Sequence, residues 1–180
     1  MKKLALIIFA TLFTVSATQA CFWKKICFWK KNSPVETANQ PASPKVTHTT
    51  TAQQPFVTKI AWGEITVQEP NGSLTQYDDR TGKDCILLPT GSKPWDWLKT
   101  GMHHKPGIQV ADVQNLLNEA DIFILSRGMD LVLEVMPETI TFLKNNKKEV
   151  HTLQSEEAVA LYNKLTQEGK KVVGLIHSTC

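Results

Sequence analysis

The chain has 180 residues, 42% of them apolar, and a formal net charge of +3, which is room for one domain with a substantial core once the ends are set aside. The charge is uneven: Lys2 and Lys3 open the chain, four lysines fall within residues 21–31, and Glu36 balances Lys45, so residues 56–180 carry about −3. A folded part with no basic excess and no Lys/Arg stripe is a poor electrostatic match for nucleic acid, and no such partner is expected.

Residues 1–20, MKKLALIIFATLFTVSATQA, have the three-part layout of a secretory signal: two lysines, an apolar run over 4–15 and a polar stretch closing on Ala20. Three outcomes fit: cleavage after Ala20, lipidation of Cys21, or retention as an anchor. The charge-free stretch 4–23 has the ~20 residues that a bilayer requires. Residues 21–31, CFWKKICFWKK, repeat one pentapeptide around an isoleucine. Phe22, Trp23, Phe28 and Trp29 suit the headgroup level and the four lysines suit anionic lipid, which predicts a foot on a membrane surface. Residues 32–55 hold four prolines and almost no large apolar side chain, the composition of a flexible tether. The expected location is exported and membrane-associated, periplasmic or extracellular, with a soluble exported protein as the alternative.

The folded domain is expected over residues 56–180. Strands are predicted over 57–62, 64–68 and 74–77, with Asn71-Gly72 as a hairpin turn. A further strand over 85–88 joins them in an antiparallel layer. Residues 91–107, GSKPWDWLKTGMHHKPG, form an unusually long loop. Val110, Val113, Leu116 and Leu117 have helical spacing, and residues 122–126 form an apolar strand. Pro137 opens a helix with Ile140 and Leu143 inside, and a short strand covers 150–153. Ser155 caps the next helix and Gly169 closes it. Residues 172–176 end the pattern as a strand. The fold class is α/β: N-terminal antiparallel strands, then βαβαβ on a mixed, partly parallel sheet with right-handed crossovers.

The stretches TKIAWGEITV, KDCILLPTGSKPWDWLKTG, HKPGIQVADV, LSRGM, LQSEEAVALYNKL and GLIHSTC follow one another in order over residues 58–180. They resemble successive motifs of the Mth-domain family. Its animal representative is the adipogenesis-associated Mth-domain-containing protein, and a mitochondrial complex I assembly factor is a distant relative. The resemblance implies a single three-layer α/β domain, roles in assembly and regulation, and no established catalytic activity. The signal, foot and tether depart from the compact members.

Site residues follow from two places. If the strands ending at Ser126 and Ile176 are parallel, their tips share the edge where ligands meet such sheets. Arg127 then offers a fork for a carboxylate or phosphate, Gly128 admits a close backbone, Met129 adjoins them, and His177 can move protons. Alternatively, Arg127 neutralises a carboxylate at Cys180 and His177 is bonded at a strand end. The long loop supplies Trp95, Asp96, Trp97, His103 and His104; His104 falls on a motif position of the resembled family and His103 does not. The tryptophans either anchor a partner or plug the sheet, with Asp96 capping the loop's own amides.

Catalytic candidates are Asp96, His104 and His177. Cys180 is a poor nucleophile beside His177, because side chains at i and i+3 of a strand face opposite ways. No serine elbow, phosphate loop or dinucleotide fingerprint occurs, so no cofactor is expected. Cys85, Cys180, His103, His104 and His177 lack paired ligand spacing, so no metal is expected either. Cys85 and Cys180 are instead a candidate disulfide. Two functions remain: a noncatalytic binding or assembly module serving a protein partner, or a small-molecule enzyme with a pocket of Asp96, His104, Arg127 and His177.

Overall fold

The computed structural model describes residues 53–180; the signal, Cys21, the foot and nearly all of the tether lie outside them. Alternation builds the first sheet. Strands β1 (Phe56–Ala61), β2 (Glu64–Gln68) and β3 (Leu74–Tyr77) pair antiparallel in that order. Val57, Ile65, Val67 and Tyr77 are buried from it, as period-2 side chains on one face must be. The β2–β3 turn uses Asn71 and Gly72: Gly72 sits at φ +85° and Asn71 Oδ1 accepts from the Ser73 amide.

The second sheet has five strands in the order β5-β4-β8-β6-β7. These are β4 (Cys85–Leu88), β5 (Gly91–Pro94), β6 (Ile122–Ser126), β7 (Glu149–Leu153) and β8 (Val172–Ile176). β8, β6 and β7 are parallel, while β4 runs antiparallel to both β8 and β5. Two sequence expectations change here. Residues 85–88 belong to this sheet and not to the first layer, because their partner is β8. The long loop loses its first four residues to β5, an edge strand that pairs with β4 and is also tied to the first sheet through Ser92, whose amide donates to Glu69 Oε2 at 3.0 Å and whose Oγ lies 2.6 Å from the Tyr77 hydroxyl.

Both faces of this sheet are covered, which is why β6 and β8 read as unbroken apolar runs. Ile122, Ile124, Val172 and Ile176 face the first sheet and helix α3 (Ser155–Gln167). Phe123, Leu125, Val173 and Leu175 face the other way, toward α1 (Val110–Val113) and α2 (Pro137–Asn145). The result is three layers with two cores. Phe123, Ile124 and Leu125 are each fully buried, and each such side chain contributes about 1.5–3 kcal/mol relative to exposure. From β6 the chain steps one strand over through α2 on one face, then returns two strands through α3 on the other. Reversing both direction and face preserves one crossover hand.

Helix ends follow local chemistry with one revision. Pro137 occupies the first turn of α2, where its missing N–H costs nothing. At α3 the cap is Gln154, whose side chain accepts from the Glu156 and Glu157 amides. Ser155 is already helical and donates instead to the His177 carbonyl, so it ties α3 to the end of β8.

Candidate functional site

Strand direction gathers the polar residues. β6, β7 and β8 all end at one edge, where β4 begins and β5 ends, since Cys85 pairs with both Ile176 and Pro94. Asp84, residues 95–97, Arg127 and His177 therefore meet there. The β1–β2 turn reaches the same edge, with the Gly63 amide donating to the Ser178 carbonyl at 2.9 Å.

The segment 177–180 leaves β8 held on several sides. The His177 amide donates to Ser126 Oγ at 2.6 Å and the Ser178 amide to Asp84 Oδ1 at 2.9 Å. Ser178 Oγ donates to the Lys83 carbonyl at 2.8 Å, and the Met129 amide donates to the Thr179 carbonyl. Gly128, at φ +88°, lets the chain pass against Cys180.

His177 is nearly buried, and its Nδ1 lies 2.8 Å from Asp84 Oδ2. An ionised carboxylate only accepts, so the imidazole carries a proton on Nδ1. In the neutral ring Nε2 is then an acceptor, and Thr179 Oγ1 lies 3.2 Å from it. His104 comes from the loop. Its carbonyl accepts from the Glu134 amide at 3.0 Å, and the Ile108 amide donates to the Glu134 carbonyl at 2.9 Å. Buried Asp112 braces the same loop, accepting from Thr100 Oγ1 at 2.5 Å and from the Gln109 amide at 2.9 Å. Nε2 of His104 lies 3.4 Å from Cys180 Sγ. Burial, reinforced by the neighbouring His177, holds the His104 pKa below the ordinary histidine value, which favours the neutral ring.

Trp97 is the shared wall, with its ring 5.0 Å from that of His104 and 4.9 Å from that of His177; the two imidazoles are 5.2 Å apart. These groups open onto a cleft of about 550 Å³ that Asp84, Trp95, Asp96, Trp97, His104, His177 and Thr179 help to line.

The sequence candidates divide. Trp95, Trp97, His104 and His177 share the cleft, with Trp95 buried in the second core and only Trp97 touching both imidazoles. Asp96 sits at the rim and caps the 3-10 turn Trp97–Lys99, accepting from the Leu98 amide at 3.0 Å. It is not the acid partner of a histidine; Asp84 is. Arg127 is not a free fork, and its hydrogen bonds go to carbonyls of its own loop, with Nε on Leu133 at 3.1 Å and a terminal nitrogen on Leu131 at 2.9 Å. Gly128 and Met129 hold the backbone of 179–180.

Three further observations concern the cysteines and their neighbours. Cys85 and Cys180 form no disulfide: Cys85 is sealed in the first core, where burial drives its thiol pKa well up, while Cys180 is partly exposed beside His104. Cys180 has imidazole neighbours after all, with His104 Nε2 the nearer at 3.4 Å and a ring nitrogen of His177 within 4.8 Å. Finally, side chains with no ligand spacing in sequence come together, since donor atoms of His104, His177 and Cys180 all lie within 4.8 Å of one another. Such a set can hold a metal or move a proton between thiol and imidazole.

Several solved structures share the fold. A conserved hypothetical protein from Pyrococcus horikoshii is 21% identical, with 69% of this chain and 98% of that one aligned at a TM-score of 0.53. An outer membrane protein from Bartonella henselae is 17% identical over 72% and 98% at 0.55. A Mth938-like domain protein from Bordetella pertussis is 16% identical over 80% and 92% at 0.50. At these identities the likeness concerns the fold. The family model described as protein of unknown function (DUF498/DUF598) matches residues 57–177, and with the Mth938-like fold around it the chain belongs to that family.

Proposed function

We propose that the domain is a noncatalytic binding or assembly module, exported and held at a membrane surface, whose contact face is the cleft and its apolar rim. One observation carries this: where the exposed large apolar side chains lie. Among the described residues these are Trp62, Leu74, Leu98, Leu131 and Val132. Trp62 sits in the turn bonded to Ser178, Leu98 follows the Trp97 wall, and Leu131 and Val132 occupy the loop after Met129, which bonds Thr179. Four of the five therefore lie on segments that meet or flank residues 177–180. Leu74 alone stands at the far end of the first sheet. Exposed apolar groups on segments that adjoin a polar cleft are what a protein partner would cover.

A second reading, a small-molecule enzyme in the same cleft, rests on the Cys180–His104 contact. It is the weaker one. Of its proposed pocket, Asp96 and Arg127 are spent on backbone groups. The amides of Gly63, Met129, His177 and Ser178 already donate within the protein, so none of these four is free to stabilise an oxyanion.

A photoreactive benzophenone side chain at position 62 or 98 is expected to trap one discrete protein in cells, and the same group at position 74 is not. Equal adducts from all three positions, or none from 62 and 98, would reject the contact face.

The membrane half of the proposal rests on residues 1–31, with Lys24, Lys25, Lys30 and Lys31 as the electrostatic element. Among the described residues no helix is long and apolar enough to cross a membrane, and the Bartonella henselae relative in fold is described as an outer membrane protein. With Cys21→Ser blocking lipid attachment, the protein should still float with phosphatidylglycerol vesicles. Changing the four lysines to glutamine should remove about 4 kcal/mol, roughly a thousandfold in partition. Unchanged flotation would discard the basic foot.

A further inference from the structure

The donor set of His104, His177 and Cys180 is arranged more specifically than a partner surface requires. Two ligands of one tetrahedral ion, a sulfur at about 2.3 Å and a nitrogen at about 2.0 Å from it, stand roughly 3.5 Å apart. Cys180 Sγ and His104 Nε2 are already 3.4 Å apart. The third donor comes with its support. Asp84 holds His177 by Nδ1 and is itself fixed by the Ser178 amide, so the free lone pair sits on Nε2. A carboxylate on the far nitrogen is the usual brace of a metal-binding histidine, since it sets the tautomer and raises ligand basicity. It also answers a question about the fold, namely why an aspartate and a histidine are paired in a nearly sealed position.

We propose that His104 Nε2, His177 Nε2 and Cys180 Sγ form a three-ligand site for a zinc-class divalent ion, with the fourth coordination position open to the cleft. One thiolate and two imidazoles form a borderline-soft set that selects zinc over magnesium or calcium, whose ligands are oxygens. Donor atoms within 4.8 Å of one another need to draw in by about 1 Å to reach tetrahedral spacing. His104 and Cys180 are only partly buried, so both can turn while His177 stays fixed. On binding, the Cys180 thiol releases its proton to solvent. The ion takes the Nε2 lone pair of His177, and the Thr179 hydroxyl turns from that nitrogen toward the open position. Three protein ligands with a free fourth position leave room for water or for a donor from a bound molecule. The site does not depend on the apolar rim, and loss of metal would leave benzophenone trapping at positions 62 and 98 untouched.

Cobalt(II) tests this directly on the full-length protein after chelator treatment. One equivalent should give a thiolate-to-cobalt charge-transfer band in the near ultraviolet and the intense visible bands of four-coordinate cobalt, and one equivalent of zinc should bleach both. Cys180→Ser should abolish the charge-transfer band while Cys21, Cys27 and Cys85 remain. Asp84→Asn should weaken cobalt binding by about 10–100-fold, the usual effect of losing such a brace. His104→Gln and His177→Gln should weaken it further. Near-ultraviolet circular dichroism of each metal-free variant separates lost ligands from lost folding. Cys180→Ser, altering a partly exposed side chain, remains decisive if the His177 variant unfolds. A folded wild-type protein without the charge-transfer band at one equivalent, or a band that survives Cys180→Ser, overturns the proposal.

Discussion

Gly128→Ala should cost about 3 kcal/mol in urea denaturation and free residues 179–180 from the edge of the sheet, whereas Gly72→Ala should cost only about 1 kcal/mol. The two glycines share nearly the same φ, +88° and +85°, so the strain of adding a side chain at a positive φ is common to both. They differ in what the new carbon meets. At Gly72 nothing lies within 4 Å, but at Gly128 a Cβ would stand 2.0 Å from the Cys180 carbonyl oxygen and 2.8 Å from that of Thr179. Those atoms are backbone, so no side-chain rotation relieves the overlap and the segment must move. The Met129–Thr179 bond and the Cys180–His104 contact would then be lost together. Alkylation followed by peptide mass spectrometry reads this at each cysteine: Cys180 should react faster in Gly128→Ala, while Cys85, sealed in the core, should not change. Equal costs for the two alanine variants would show that the close approach contributes nothing.

The dependence on backbone placement explains what could be read from the residues alone. β2, with strict alternation, and β6 and β8, with unbroken apolar runs, declare their environments locally, as do Pro137 in α2 and Gly169 after α3. β5 does not. Gly-Ser-Lys-Pro has no strand preference and is extended because β4 lies beside it and Glu69 and Tyr77 bind Ser92. The same gap hid the site. Asp84 is unremarkable in sequence until β4 is laid against β8 with Cys85 opposite Ile176, which brings position 84 to position 177. Sequence proximity points Cys180 to the histidine three residues away, but its nearest imidazole, that of His104, comes from a loop 76 residues earlier. Ligand-spacing rules fail for a related reason, since only His177 and Cys180 share a segment and the third donor, His104, comes from a distant loop. Arg127 failed in the opposite direction. Its position on the edge was legible, but its role was not, because a guanidinium spends its donors on whatever carbonyls its own loop presents.

Asp84 gives the sharpest division between a structural charge and a hydrogen-bonding shape. Its carboxylate accepts from His177 Nδ1 and from the Ser178 amide, with only 12% of the Asp84 side chain and 4% of that of His177 exposed. Asp84→Ala leaves two nearly buried donors without acceptors, and about 3 kcal/mol should be lost, the lower end for breaking a buried pair because Asp84 keeps some solvent. Asp84→Asn should cost about 1 kcal/mol or less. The amide oxygen can accept from Ser178 as before, and the amide nitrogen can donate to His177. That donation reverses the imidazole, because Nδ1 becomes the acceptor and the proton moves to Nε2, the nitrogen that faces Thr179. Nitrogen-15 spectra of the His177 ring should therefore show a protonated Nδ1 in the wild type and a protonated Nε2 in Asp84→Asn, with the fold intact in both. If asparagine destabilises as much as alanine, the pair is held by charge and not by hydrogen-bond geometry, and the tautomer argument falls. If neither variant loses stability, Asp84 does not brace the site at all.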